Sequence, residues 1–243
     1  MPARRAPEWL TRTTFAHRGA HGPGVPENSL AAAEAAIARG FGIECDVQLS
    51  GDDVAMVFHD RYLGRLTGYE SEIGDTSGVQ LERLMLLGTD QSIVSLRRFL
   101  EAIRGRVPLL VEVKSANATG IVEPLCAAVC DALSVYSGPH AVMSFDPRVA
   151  EWFAAKAPTI CRGLVGTDSL LNGFEHVWRN ADSIERARPD FLAIDRRDLS
   201  QPAAMRWRKA GRPLLSWTIR TAAERMAARG LADGLIAEGE ALA

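Results

Sequence analysis

Four short clusters of ionisable residues lie in the first half of the chain, and each closes an apolar run. They are His17-Arg18-Gly19, Glu44-Cys45-Asp46, His59-Asp60 and Glu112-Val113-Lys114. The runs they close, at 13–16, 41–43, 54–58 and 109–111, have the length and character of buried β-strands. Ionisable side chains at strand ends are costly to bury unless they meet one another, a metal ion or a charged ligand. Among them, two histidines, the three carboxylates Glu44, Asp46 and Glu112, and a basic pair make up the inventory for metal-assisted acid–base chemistry on an anionic substrate.

The elements that must position these residues follow a simple rhythm. Strand-like runs begin near Thr13, Gly42, Pro108, His140, Thr159, Phe191, Pro213 and Gly234. Helix-like segments separate them at 30–39, 119–136, 147–157, 173–188, 201–210 and 221–229, the first preceded by the possible caps Asn28 and Ser29. Strands that are apolar throughout indicate a parallel sheet covered by helices. Eight of them in about 250 residues is the pattern of an α/β fold, the (β/α)8 TIM barrel. A doubly wound open sheet fits less well, since no G-x-G-x-x-G follows the first strand. One interval is irregular. Between the second and third barrel strands lies a short insertion at about 60–105, preceded by an extra strand ending at His59 and holding helical pieces at 79–87 and 95–104. The chain at 1–243 reads as a single domain with this insertion over the barrel mouth.

Strand parity sharpens the chemistry. Side chains two apart on a strand share a face, so Glu44 points with Asp46 and Glu112 with Lys114, while Cys45 and Val113 point away. If the first set faces the barrel interior, Glu112 reaches the same point from the adjacent strand. Three converging carboxylates repel and take up protons unless a cation joins them. Oxygen donors of this kind suit a hard divalent ion, Mg²⁺ or Ca²⁺. Arg18 and Lys114 flank the group and suit phosphate oxygens. Any one of these motifs alone is an ordinary strand end or ion pair; their co-occurrence at the ends of one inferred barrel carries the reading.

Composition is consistent with this. The chain has 243 residues, 47% of them apolar, and a net charge of −2. That charge gives no reason to expect nucleic acid or an anionic membrane as partner. The basic pair Arg4-Arg5 is not followed by an apolar stretch, and no run approaches a membrane span, so a cytoplasmic location without stable membrane association is expected. Cys45, Cys126, Cys130 and Cys161 lack C-x-x-C spacing and read as packing residues. Nothing in the chain indicates its oligomeric state.

Taken in order, the segments resemble the glycerophosphodiester phosphodiesterase family in its compact bacterial form. The resemblance spans about residues 13–238. It rests on the four clusters, on Pro26-Glu27-Asn28-Ser29, and on the later pieces Ser144-Phe145-Asp146, Ser216-Trp217-Thr218 and Asp233-Gly234-Leu235-Ile236. It implies a metal-dependent barrel that hydrolyses a small-molecule glycerophosphodiester to glycerol 3-phosphate and an alcohol. Glu44, Asp46 and Glu112 would be metal ligands, and His17 and His59 acid and base. Arg18 and Lys114 would hold the phosphate, and Trp217 would line the glycerol side. Asn28 is either a site residue or a helix cap. The family often ends its eighth strand in Thr-Asp; here Ala237-Glu238 stands instead, which leaves the contact made there open. Two alternatives remain: lysophospholipase D-type activity on lipid phosphodiesters, disfavoured by a polar 64–78 loop, and a non-catalytic phosphoester-binding barrel. His21, His140 and His176 are expected in a solvated loop, on the structural face and in a helix or its lead-in, without roles.

Overall fold

Eight parallel strands close into a barrel in the computed structural model, which describes residues 6–115, 120–169, 173–174 and 176–243. They are β1 (Thr14–Ala16), β2 (Gly42–Leu49), β5 (Leu109–Val113), β6 (His140–Ser144), β7 (Cys161–Gly166), β8 (Phe191–Asp195), β9 (Leu214–Ile219) and β10 (Gly234–Ala237). Pairing of β1 with both β10 and β2 completes the ring. All eight strands fall where the apolar runs place them, and the architecture is the expected TIM barrel.

The insertion differs in detail. It spans the whole interval between β2 and β5, and two strands inside it, β3 (Ala55–Val57) and β4 (Val94–Ser95), extend the sheet antiparallel from the far end of β2. Its own small core of Met56, Phe58, Leu63, Ile73, Leu81, Leu86 and Ile93 holds the irregular loops together. The helix expected at 79–87 is a single turn, Gly78–Leu81, capped by a reciprocal Ser77–Gln80 box. The expected 173–188 helix shortens to Ala181–Ala187, because Asn180 caps it from its side chain. Ser29, not Asn28, caps helix Leu30–Ala38.

Two apolar layers follow from strand parity. Phe15, Leu110, Met143, Val165, Phe191, Leu215 and Ile236 fill the barrel interior, and Trp9 and Leu10 of a helical turn at Trp9–Arg12 pack into that cluster. Cys45, Val47, Val111, Val113, Val142 and Leu192 face outward into the strand–helix layer. Glu44 and Asp46 are buried on the other face from Cys45, as the alternation requires. A barrel filled at its base by side chains leaves its C-terminal end for chemistry.

This parity has a measurable consequence. Cys45→Ala should cost about 1 kcal/mol of stability through a small packing defect, with divalent-cation affinity unchanged. Asp46→Asn should weaken cation binding instead. Thermal melts and metal titrations separate the two, and a Cys45→Ala protein that loses cation binding at an unchanged melting temperature would reverse the assigned strand orientation.

Candidate active site

The C-terminal strand ends bring the four clusters to one place. Ligand oxygens of Glu44, Asp46 and Glu112 lie within 4.8 Å of one another, and all three residues are buried. Register explains the meeting: Asp46 of β2 pairs directly with Glu112 of β5. Glu44 Oε2 accepts from the Arg18 backbone N–H at 3.0 Å, while its Oε1 is buried without a hydrogen bond. Asn28, held at φ 56°, donates to Asp46 Oδ2 at 2.8 Å and accepts from the Asp46 N–H at 3.2 Å. Asn28 therefore clamps Asp46 in place. The turn that carries it packs closely on helix Leu30–Ala38: Gly19 adopts φ 79°, and a Cβ there would lie 2.7 Å from the Ala32 Cβ.

Two cations enter the carboxylate group. Lys114 Nζ lies 2.6 Å from Glu112 Oε1 and 3.2 Å from Asp46 Oδ1. Arg18 reaches Asp46 through Nε at 3.2 Å and Glu27 through Nη1 at 2.8 Å. These charges act unevenly on the carboxylates. Burial pushes Glu44 well above the usual carboxyl range, and the charges of Asp46 and Glu112 push it further. Burial acts in the same direction on Asp46, but Lys114, His59 and Arg18 outweigh it and hold that group well below the range. Lys114 is desolvated, which favours its neutral form, yet Asp46 and Glu112 raise it above an ordinary lysine. An all-oxygen set with one buried, unsatisfied oxygen and one carboxyl forced toward protonation fits a hard divalent cation.

Each histidine is fixed by a carboxylate on Nδ1. His17 donates to Glu238 Oε2, whose other oxygen accepts from Arg220 Nε at 2.7 Å. His59 donates from Nδ1 to Asp60 Oδ1 at 2.7 Å, and Arg65 bridges Asp60 to Glu27. Because a carboxylate only accepts, both rings carry the Nδ1 proton and keep Nε2 for the cavity they line. Burial lowers the His59 pKa, assisted by Lys114 and Arg18 and opposed by Asp46. Burial alone would raise Glu238, but hydrogen bonding from His17, the proximity of His21 and the charge of Arg220 hold it far below the usual range.

His17, Arg18, Asp46, His59, Glu112, Lys114 and Trp217 line one cavity of about 380 Å³, with Phe145, Thr167, Thr218 and Arg220. Trp217 stands edge-on to Phe145 at 5.4 Å and donates to the Ala193 carbonyl at 2.9 Å, so its face is set. Seven of the nine expected residues line this cavity, and the other two, Glu44 and Asn28, lie against Asp46 without lining it. Sequence reasoning missed three others. Glu238 holds His17; the signal was its place at the end of the last strand, which lies beside β1 in any closed barrel. Gln48 fastens the His59 segment by donating from Nε2 to the carbonyls of Phe58, His59 and Asp60. Phe145 backs Trp217. His176 stands where expected, leading into the short helix Val177–Arg179, and pairs there with Asp168 at 3.0 Å, whereas His21 departs from expectation by turning inward, with Nε2 at 3.5 Å from Glu238 Oε2. The insertion exposes Tyr62, Tyr69, Val79, Met85 and Leu87, of which Tyr69 alone falls in the 64–78 stretch expected to be polar.

Comparison with known proteins places this geometry in context. Residues 17–238 match the model of the glycerophosphoryl diester phosphodiesterase family. An Oleispira antarctica phosphodiesterase, solved in complex with the product sn-glycerol-3-phosphate, superposes with a TM-score of 0.79 at 25% identity, covering 93% of this chain and 92% of that one. A glycerophosphodiester phosphodiesterase from Thermotoga maritima shares the fold at a TM-score of 0.74 and 22% identity, covering 93% and 94%. An uncharacterised Bacillus subtilis protein, YqiK, is 38% identical over 171 residues, covering 67% of this chain and 70% of its own length.

The shifted Glu44 carboxyl has a direct test. Its folded pKa lies above the unfolded value near 4.5, so the metal-free fold binds that proton more tightly than the unfolded chain. Its contribution to stability is therefore present below pH 4.5 and is lost as pH rises through the folded pKa. The melting temperature of metal-free wild type minus that of Glu44→Gln should fall as pH rises from about 4.5 toward neutrality. Saturating Ca²⁺ should abolish that fall. A pH-independent difference without metal would mean Glu44 is not held protonated.

Proposed function

Because the chain belongs to the glycerophosphoryl diester phosphodiesterase family and is an enzyme of that class, we propose that it hydrolyses glycerophosphodiesters to glycerol 3-phosphate and an alcohol in a reaction that needs a divalent cation. The observation that carries this reading is one cavity lined by both carboxylate-held histidines, the cationic pair Arg18 and Lys114, and two members of the three-carboxylate group.

Glu44, Asp46 and Glu112 would hold Mg²⁺ or Ca²⁺, which when bound offsets the negative charge that builds on the phosphoryl oxygens. Arg18 and Lys114 bind and orient the phosphate, exchanging part of their present carboxylate contacts for it. Trp217 and Phe145 give the glycerol side an apolar wall. One histidine takes a proton at Nε2 from the nucleophile, and the other gives one from Nε2 to the departing alkoxide. Glu238 and Asp60 are positioning residues: they set the tautomer and stabilise each ring when it is charged. The nucleophile is water or the neighbouring glycerol hydroxyl, the latter giving a cyclic phosphate first.

The exposed Tyr62, Tyr69, Val79, Met85 and Leu87 of the insertion favour a second reading, in which the glycerol carries an acyl chain and the substrate is a lipid phosphodiester cleaved by lysophospholipase D-type activity.

Phosphorus NMR of reactions with glycerophosphocholine and with lysophosphatidylcholine distinguishes the two by which substrate is consumed and which phosphate product appears. EDTA should abolish turnover and Mg²⁺ or Ca²⁺ should restore it. His17→Ala and His59→Ala should each lower kcat by at least ~10²-fold, and the double variant should lose far less than the product of the two, since both serve one reaction. Full activity in metal-free protein, or a near-wild-type rate in either histidine variant, would overturn the mechanism.

A further inference from the structure

A second ligand set lies beside the carboxylate group and differs from it in chemistry. His17, His21 and Glu238 offer ligand atoms that all lie within 4.8 Å of one another. The residues come from the turn after β1 and the end of β10, which hydrogen bonding draws together: the His17 N–H donates to the Ala237 carbonyl at 2.8 Å. His21 Nε2 is buried and makes no directed hydrogen bond; it lies 3.5 Å from Glu238 Oε2. A buried ring nitrogen without a directed partner costs free energy, and here it faces a carboxylate and a second imidazole.

We infer that His17 Nδ1, His21 Nε2 and Glu238 Oε2 form a binding site for a borderline divalent transition metal such as Zn²⁺, and that occupancy of this site inhibits the enzyme. Two imidazoles and a carboxylate are a recurrent three-residue zinc set, with a fourth position left for water. Such donors prefer zinc, whereas the neighbouring all-oxygen group prefers Mg²⁺ or Ca²⁺. Bonds of about 2.0–2.1 Å in tetrahedral geometry put ligand atoms roughly 3.4 Å apart. The His21–Glu238 spacing of 3.5 Å already meets this, and the 2.5 Å His17–Glu238 contact has only to open as the ion replaces the bridging proton. Arg220 on Glu238 Oε1 orients the carboxylate as an outer-sphere partner would.

The inhibitory consequence rests on the acid–base reading of His17. Neutral imidazole carries one proton. With Nδ1 bound to Glu238 that proton sits on Nδ1, and Nε2 can accept another. With Nδ1 on the metal the same proton must reside on Nε2, which then cannot act as a base; any second proton on the ring leaves to solvent. The ion thus removes one partner of the histidine pair without touching the phosphate site.

The test uses zinc chloride as the probe and two independent readouts. With Ca²⁺ in saturating excess, zinc should inhibit the wild type, and His21→Gln should raise the half-inhibitory zinc concentration at least tenfold while leaving zinc-free kcat and KM unchanged. Calorimetry on Glu44→Gln/Glu112→Gln, which lacks the all-oxygen site, should show one equivalent of zinc bound, lost on adding His21→Gln or Glu238→Gln. If that double variant does not fold, the same titration compares Ca²⁺-saturated wild type with His21→Gln. Equal zinc sensitivity of wild type and His21→Gln, or zinc binding that is absent or indifferent to His21, overturns the inference. Calorimetry needs no turnover, so it decides the site even if the protein fails to cleave glycerophosphodiesters.

Discussion

Burying three carboxylates at one end of a barrel is the constraint around which the neighbouring structure is arranged. In a low-dielectric interior such a group cannot stay fully ionised unless other charges and donors meet it. Lys114 and Arg18 supply two positive charges, Asn28 supplies a donor to Asp46, and the Arg18 backbone supplies one to Glu44. These partners do not complete the group, since one Glu44 oxygen stays buried and unbonded. The backbone around the site serves the same end. Arg18, Gly19 and Asn28 all take left-handed conformations, and the turn they form folds its donors back over β2.

The two histidines are held by the same device built from unrelated parts of the chain. In each, a carboxylate takes Nδ1 and an arginine takes the carboxylate. For His17 the carboxylate and arginine arrive from β10 and the end of β9, more than two hundred residues away in sequence. For His59 they come from the adjacent residue and from the first helical turn of the insertion, tied through Glu27 to Arg18. The insertion is therefore part of the site as well as its rim. Its small apolar core keeps Arg65 near Asp60, and Gln48 anchors the segment to β2.

Stability and chemistry occupy different ends of the barrel. Trp9 and Leu10 pack against the Phe15 cluster at the base, where the interior is filled by apolar side chains. Toward the C-terminal ends the interior positions turn from Leu110 and Ala193 to Glu112 and Asp195. A substitution at the base disturbs packing, while one at the mouth disturbs charge.

The alternation of apolar runs with helix-like segments determined the barrel, because strands buried on both faces leave an unmistakable local pattern. Period-two parity determined which of Glu44, Cys45 and Asp46 share a face, because it is a property of any extended chain. The four clusters determined seven of the nine expected residues for the same reason, each sitting beside its strand end in sequence, while Asn28 and Trp217 came only from the family resemblance. What depended on distant pairings could not be read locally. Glu238 meets His17 only because β10 hydrogen-bonds to β1, and the same pairing brings it within 3.5 Å of His21. The helix at 173–188 shortened where Asn180 offered a cap that competed with a longer helical pattern. Asn28 suited a cap equally well until Ser29 took that place and left its side chain for Asp46. Local periodicity is written into consecutive residues, whereas a side chain's partner across a closed barrel exists only once the ring has formed.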